Sequence, residues 1–103
     1  MKFAYHATMC PPDQYLPLAL AAEAAGFDTF TFPDSICYPK EGSDVYPYND
    51  DGTREFLDGV PFLEPFIAIP YLAAKTEKLR FTTSVIKLAI RQPVIVAKQL
   101  SSL

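Results

Sequence analysis

A carboxylate follows a strand-like segment near the start of the chain and opens a long polar loop. Residues 28–33 read DTFTFP, in which polar residues alternate with aromatic β-formers, and Asp34 and Ser35 come next. A carboxylate at the end of a strand can hold a substrate hydroxyl or relay a proton. Asp is also a common turn former. The residue types alone therefore leave two interpretations of Asp34 open, a site residue and a turn residue.

The loop that follows, at about residues 35–60, carries aromatic and acidic side chains together. Its aromatic residues Tyr46, Tyr48 and Phe56 are candidates for the wall of a substrate pocket, with packing into the core as the alternative. The loop also holds an acidic cluster, which consists of Asp44, Asp50, Asp51, Glu55 and Asp58. The spacing of this cluster does not match a calcium-binding loop. We interpret it as a solvated turn and predict no metal site.

Composition limits the classes of function. The chain has 103 residues, of which 50% are hydrophobic, and a formal net charge of −3 with scattered basic residues. Such a chain can bury one core, but it offers no basic stripe for a nucleic-acid backbone. Its apolar runs are far shorter than the ~20 residues of a membrane helix, and residues 2–7 read as a strand instead of a secretion signal. We predict a soluble, cytoplasmic protein with no nucleic-acid or membrane partner.

The elements that must position these residues alternate between strands and helices. Strands are predicted at residues 2–7, 28–33 and 79–86. Helices are predicted from a capping Asp13 to a left-handed Gly26, over residues 61–76, and from Pro93 onward. This alternation predicts an α/β fold with a parallel sheet. The last helix reaches Leu103 without a C-cap residue, which predicts a truncated chain.

Five short sequence motifs of this chain occur together in one enzyme family. They are ALAAEAAGFD at residues 19–28, FPD at 32–34, LAAKTEKLRF at 72–81, TSV at 83–85 and PVIVAKQ at 93–99. In this order they make the chain resemble the N-terminal part of the luciferase-like flavin or deazaflavin (F420) oxidoreductases. The chain departs from the P-D-H pattern of that family at Ser35, where the pattern has histidine.

The resemblance implies a (β/α)8 TIM barrel of the luciferase-like type. Residues 1–103 would be the N-terminal portion of that single domain, about three βα units, with an extended βα loop at about 35–60. Because the active sites of such barrels lie at the C-terminal ends of the strands, Asp34 is expected to face the cofactor and substrate cavity as a catalytic and cofactor-binding residue. Ser35 and the three loop aromatics are expected to line the substrate side of the same cavity.

The resemblance also implies roles at the ends of the first and third strands. His6, the only histidine, would take the proton-handling role that Ser35 leaves open, whereas a packed or solvated histidine is the alternative. Thr83, Ser84 and Val85 would contact the cofactor ring, with a cis peptide bond between Ser84 and Val85. An ordinary buried strand is the alternative there.

The implied activity is hydride transfer between F420 and a small organic substrate. FMN-dependent monooxygenation is the variant within the family, and a non-catalytic fragment or paralogue is the alternative from another class. The Pro33-Asp34 pairing favours F420. Since three strands leave open sheet edges, the isolated chain is predicted to be inactive, and to form a homo-oligomer or depend on the remainder of the barrel.

Overall fold

A computed structural model describes residues 1–42 and 45–103 and has an α/β fold. Its regular elements are β1 (Ala4–His6), α1 (Tyr15–Ala24), β2 (Thr29–Phe32), α2 (Pro65–Ala73), β3 (Arg80–Thr83) and α3 (Pro93–Leu100). The strands are parallel and lie in the order β1-β2-β3, with His6 level with Thr31 and Thr31 level with Thr82. The predicted order of elements and the parallel sheet are confirmed.

One face of the sheet is covered by α1 and α2. Phe30 and Phe32 are fully buried and extend from β2 into a core that includes Tyr15 and Leu72. The rings of Tyr15 and Phe32 stack with their centroids 5.0 Å apart. The aromatic positions of the TFTF strand therefore hold the helices against the sheet.

The start of α1 differs from the prediction, whereas its end agrees. Asp13 does not cap the helix but lies in a 3-10 turn, Pro12–Gln14, and the α-helix begins at Tyr15. Pro12 has no amide to donate, and the last amide of the turn donates to the carbonyl of Pro11 at 3.0 Å, which tightens the entry to the helix. Gly26 has a φ of 82°, as expected for a left-handed helix end.

Strands β1 and β3 and helix α2 are shorter than predicted. Strand β3 ends at Thr83 instead of residue 86, although the amide of Ser84 still donates to the carbonyl of Phe32 in β2 at 2.8 Å. Helix α2 begins at Pro65 because the side chain of Glu64 caps it, accepting a hydrogen bond from the amide of Phe66 at 3.2 Å. Segments 61–64 and 84–87 are consequently loops at the ends of the elements.

A carboxylate of α1 fixes the turn that leads into β3. Oε1 of Glu23 accepts hydrogen bonds from the amides of Glu77, Lys78 and Leu79 at 2.9, 2.6 and 2.8 Å. These bonds, that of Lys78 foremost, lower the pKa of Glu23. The hydrogen bonds of Glu23 thus connect two of the sequence motifs that carry the family resemblance, ALAAEAAGFD and LAAKTEKLRF.

Replacement of Glu23 by Gln is expected to destabilise the fold most strongly near neutral pH. A carboxyl group whose pKa is lowered by folding contributes stability above its unfolded pKa, and this contribution is lost as the pH falls through the folded pKa. Thermal unfolding of parent and variant from about pH 7 down to about pH 3 checks this. Glu77→Gln, which removes the same charge at the same turn, is the control. An equal loss in both variants would contradict the assigned role of Glu23.

Candidate functional site

The three strands end at one edge of the sheet. The amides of Ala7 and Ser84 extend the ladder onto β2, with hydrogen bonds of 3.0 and 2.8 Å. His6, Asp34 and Ser84 therefore come from the carboxyl ends of three neighbouring parallel strands. Ligand sites of α/β barrels lie at this edge, and the structure brings these predicted residues together there.

The sheet face turned away from α1 and α2 carries small or polar side chains. Strand alternation places there Ala4, His6, Thr29, Thr31, Arg80 and Thr82. At the carboxyl edge, His6, Thr82 and Ser84 are exposed. Imidazole and hydroxyl groups can donate or accept hydrogen bonds, and the hydroxyl side chains are small enough to allow close approach. A ligand at this edge would therefore meet hydrogen-bonding groups.

The segment Thr83–Ser84–Val85 turns at the same edge. The peptide bond between Ser84 and Val85 is cis, as predicted. Thr83 is half-buried, whereas Ser84 and Val85 are exposed. The segment is therefore not an ordinary buried strand, and its contact with a cofactor remains a prediction.

Asp34 is buried, and its carboxylate is held by the loop that follows β3. Its Oδ2 accepts hydrogen bonds from the backbone amide of Lys87 at 2.8 Å and from Nη2 of Arg91 at 3.1 Å. Nζ of Lys87 donates to the backbone carbonyl of Asp34 at 2.7 Å. Only 3% of the Asp34 side chain is exposed. Asp34 thus organises a neighbouring βα loop, and its contact with a cofactor or substrate remains a prediction.

Arg91 is a member of this site that sequence reasoning missed. Its Nη1 and Nη2 donate to the two carboxylate oxygens of Glu64, each at 2.9 Å, and its guanidinium carbon lies 5.4 Å from the ring centroid of Phe66. The hydrogen bonds to Glu64 and, secondarily, to Asp34 raise the pKa of Arg91 against the opposing effect of desolvation. Its partners are 27 and 57 residues away in sequence, so no local pattern marks it.

The three aromatic residues predicted for a substrate pocket lie together in the long loop. The ring of Tyr46 has its centroid 5.5 Å from that of Tyr48 and 5.3 Å from that of Phe56, and Arg54 lies 5.9 Å over it. Tyr48 is 83% exposed and Phe56 is 38% exposed. These residues therefore do not plug the core, and their contact with a substrate remains a prediction.

Ser35 lines a separate cavity in the same loop. This cavity has a volume of about 210 Å³, and its walls include Ile36, Arg54, Leu57 and Phe62. Arg54 thus lies between the Ser35 cavity and the aromatic cluster. The walls of this cavity therefore combine a hydroxyl, a guanidinium and apolar side chains.

In the acidic cluster of this loop, Asp50 and Asp51 lie in a turn, whereas Glu55 begins the 3-10 helix Glu55–Leu57 and Asp58 follows it. Asp51 accepts hydrogen bonds from the amide and hydroxyl of Thr53 at 2.9 and 3.0 Å, whereas Asp44 lies outside the described residues. Over residues 1–42 and 45–103, no three acidic, histidine or cysteine side chains are grouped to hold a metal ion. No helix in these parts of the chain is long and apolar enough to cross a membrane.

The sequence matches one known family along nearly its whole length. A sequence model described as luciferase-like monooxygenase matches residues 3–103. Uncharacterized proteins from Mycobacterium bovis and Mycobacterium tuberculosis are each 52% identical to the chain over 103 residues. The match covers 100% of this chain and 36% of each relative, so the chain spans little more than a third of their length. No solved structure matches the chain significantly.

Proposed function

Because the chain belongs to the luciferase-like monooxygenase family, we propose that the full-length protein is an F420-dependent oxidoreductase that transfers a hydride between the deazaflavin and an organic substrate. Residues 1–103 would supply the first three βα units of a (β/α)8 barrel. The observation that carries the proposal is the carboxyl edge of the sheet, where the exposed His6, Thr82 and Ser84 lie near the end of the strand that Asp34 follows.

The chain contributes orientation and proton handling to this reaction. Bound F420 would supply the hydride chemistry itself. The segment Thr83–Ser84–Val85 would contact the deazaflavin ring, since it lies at the edge of the sheet and its side chains are small or exposed. Asp34 would accept a hydrogen bond from the cofactor or substrate. An imidazole nitrogen of His6 would exchange a proton with the substrate.

The substrate would lie on the side of the long loop. Ser35 would contact the substrate in the cavity that it lines, and Tyr46, Tyr48 and Phe56 would contact it from the neighbouring aromatic cluster, which Arg54 adjoins. These features favour a small organic molecule with an apolar body. FMN-dependent monooxygenation is the second candidate, because the description of the matching family names monooxygenases.

Separate titrations of the full-length protein with F420 and with FMN test the proposed function. Saturable quenching of protein fluorescence by F420, with no competition from FMN at the same concentration, is the expected result. Saturable binding of FMN alone would favour the second candidate. Binding of neither cofactor would overturn both.

Replacement of His6 by Gln is expected to lower turnover of the full-length enzyme by about 100-fold and to flatten its pH profile near neutrality. Glutamine keeps a polar side chain of similar reach but cannot exchange a proton. His6 is exposed and has no side-chain hydrogen bond within the described residues, so the melting temperature and the affinity for F420 should change little. A pH profile equal to that of the parent would make His6 a solvated residue without a catalytic role.

A further inference from the structure

Arg91 bridges the two ends of the long loop. Asp34 stands at the point where the chain leaves β2, and Glu64 immediately precedes α2, so residues 35–63 form an excursion between them. Nη2 of Arg91 donates to both carboxylates, at 3.1 Å to Asp34 and 2.9 Å to Glu64, and Nη1 adds a second bond to Glu64 at 2.9 Å. One guanidinium from the following βα unit therefore joins the two residues that flank this segment, Asp34 and Glu64.

We propose that Arg91 is a positioning residue that holds the two ends of segment 35–63 together and fixes the orientation of the Asp34 carboxylate. The link to function rests on the proposed function, in which this segment carries the substrate wall. The clamp itself, which consists of the ion pairs of Arg91 with Asp34 and Glu64, does not depend on that function.

The backbone of Arg91 is held on both sides. Its amide donates to the carbonyl of Leu88 at 3.0 Å and so ends a 3-10 helix. The side chain of Gln92 caps α3 by accepting hydrogen bonds from the amides of Val94 and Ile95 at 2.7 and 3.1 Å. The guanidinium thus starts from a fixed anchor, which reduces the conformational entropy that the bridge costs.

The clamp decides which oxygen of Asp34 can meet a ligand. The Lys87 amide and Arg91 both bind Oδ2. No donor among the residues that the structure describes bonds to Oδ1, so Oδ1 is the side-chain acceptor left for a bound molecule. Rotation of the carboxylate would break both bonds at once, and its orientation is therefore set by the loop after β3.

Arg91 determines the charge balance at the point where the two ends of segment 35–63 meet. Nζ of Lys87 is directed to the backbone carbonyl of Asp34 and not to its carboxylate. Within the part of the chain that the structure describes, loss of Arg91 would leave the Asp34 side chain, 3% exposed, with no cationic side chain on its carboxylate, whereas that of Glu64, 35% exposed, can turn to water. An uncompensated buried charge is strongly unfavourable. Loss of Arg91 should therefore separate the two ends of the segment.

Hydrogen exchange of the full-length protein tests the clamp. Arg91→Gln is expected to speed amide exchange across residues 35–63 by about tenfold, with exchange in β2 and β3 unchanged. Lys98→Gln, which removes one positive charge from the exposed side of α3, is the control and should match the parent. Unchanged exchange in segment 35–63, or a uniform rise that includes the strands, would overturn the proposal.

Two further variants keep the test decisive if Arg91→Gln folds poorly. Arg91→Lys should give an intermediate rise, because an ammonium group lacks the planar fork that reaches both carboxylates; exchange equal to the parent would overturn the bridging role. In the double variant Arg91→Gln with Glu64→Gln, the effects should be less than additive because both changes break the same pair. Exchange is measured without cofactor, so failure of F420 to bind would remove the proposed function and leave the result on the clamp intact.

Discussion

Replacement of Phe30 by Ala is expected to lower the free energy of unfolding of the full-length protein by about 3–5 kcal/mol. Phe30 is 0% exposed. Its ring centroid lies 5.4, 6.4, 5.5 and 6.3 Å from those of Tyr5, Tyr15, Phe32 and Phe81. Truncation would leave a cavity between the centre of the sheet and the helices. Equilibrium unfolding in urea measures the loss.

Truncation of Phe3, an aromatic residue at the surface, is the control for the loss of stability in Phe30→Ala. Phe3 is 52% exposed and, within residues 1–42 and 45–103, has a single ring contact, with Phe27 at 6.4 Å. Phe3→Ala should therefore cost only ~1 kcal/mol. A loss for Phe30→Ala as small as that for Phe3→Ala would contradict the assignment of the core to the helix-covered face of the sheet.

Residues 1–103 expressed alone are expected to self-associate. In the described chain, β1 and β3 each pair on one side only, and unpaired parallel edges are templates for further pairing. A cavity of about 680 Å³ runs along the open edge of β3, with Phe66, Ile86, Val96 and Leu100 among its lining residues. Burial of this apolar surface by another chain is favourable.

Size-exclusion chromatography with light scattering measures this association. Co-expression with the remainder of the protein should replace the associated species by a defined complex, because the further strands and helices of the proposed barrel would cover the same edge and groove. A monodisperse monomer of residues 1–103 with a cooperative thermal transition would contradict this account of the open edge.

The fold was largely predictable because its signals are local. Alternation in residues 28–33 predicts β2, and Gly26 and Pro93 mark a helix end and a helix start that the structure confirms. The errors lie at boundaries set by tertiary contacts or by proline. Asp13 has the residue type of a cap, yet the proline before it converts the first turn to a 3-10 helix.

The position of Asp34 in the fold was predictable from the sequence, whereas its partners were not. The strand pattern at residues 28–33 predicts a carboxylate at the end of a parallel strand, and the structure places Asp34 after β2. Its actual partners, Lys87 and Arg91, lie 53 and 57 residues further along the chain. Contacts of that separation follow from the packing of successive βα units and leave no local pattern. The bidentate ion pair between Arg91 and Glu64 could not be predicted from the sequence for the same reason.

A crystal structure of the full-length protein with F420 tests the central claim most directly. The account predicts the deazaflavin ring at the carboxyl edge of β1, β2 and β3, in contact with residues 83–85 and within reach of His6. Density for the ring at a different surface, or a complex in which these strand ends touch no cofactor, would contradict it.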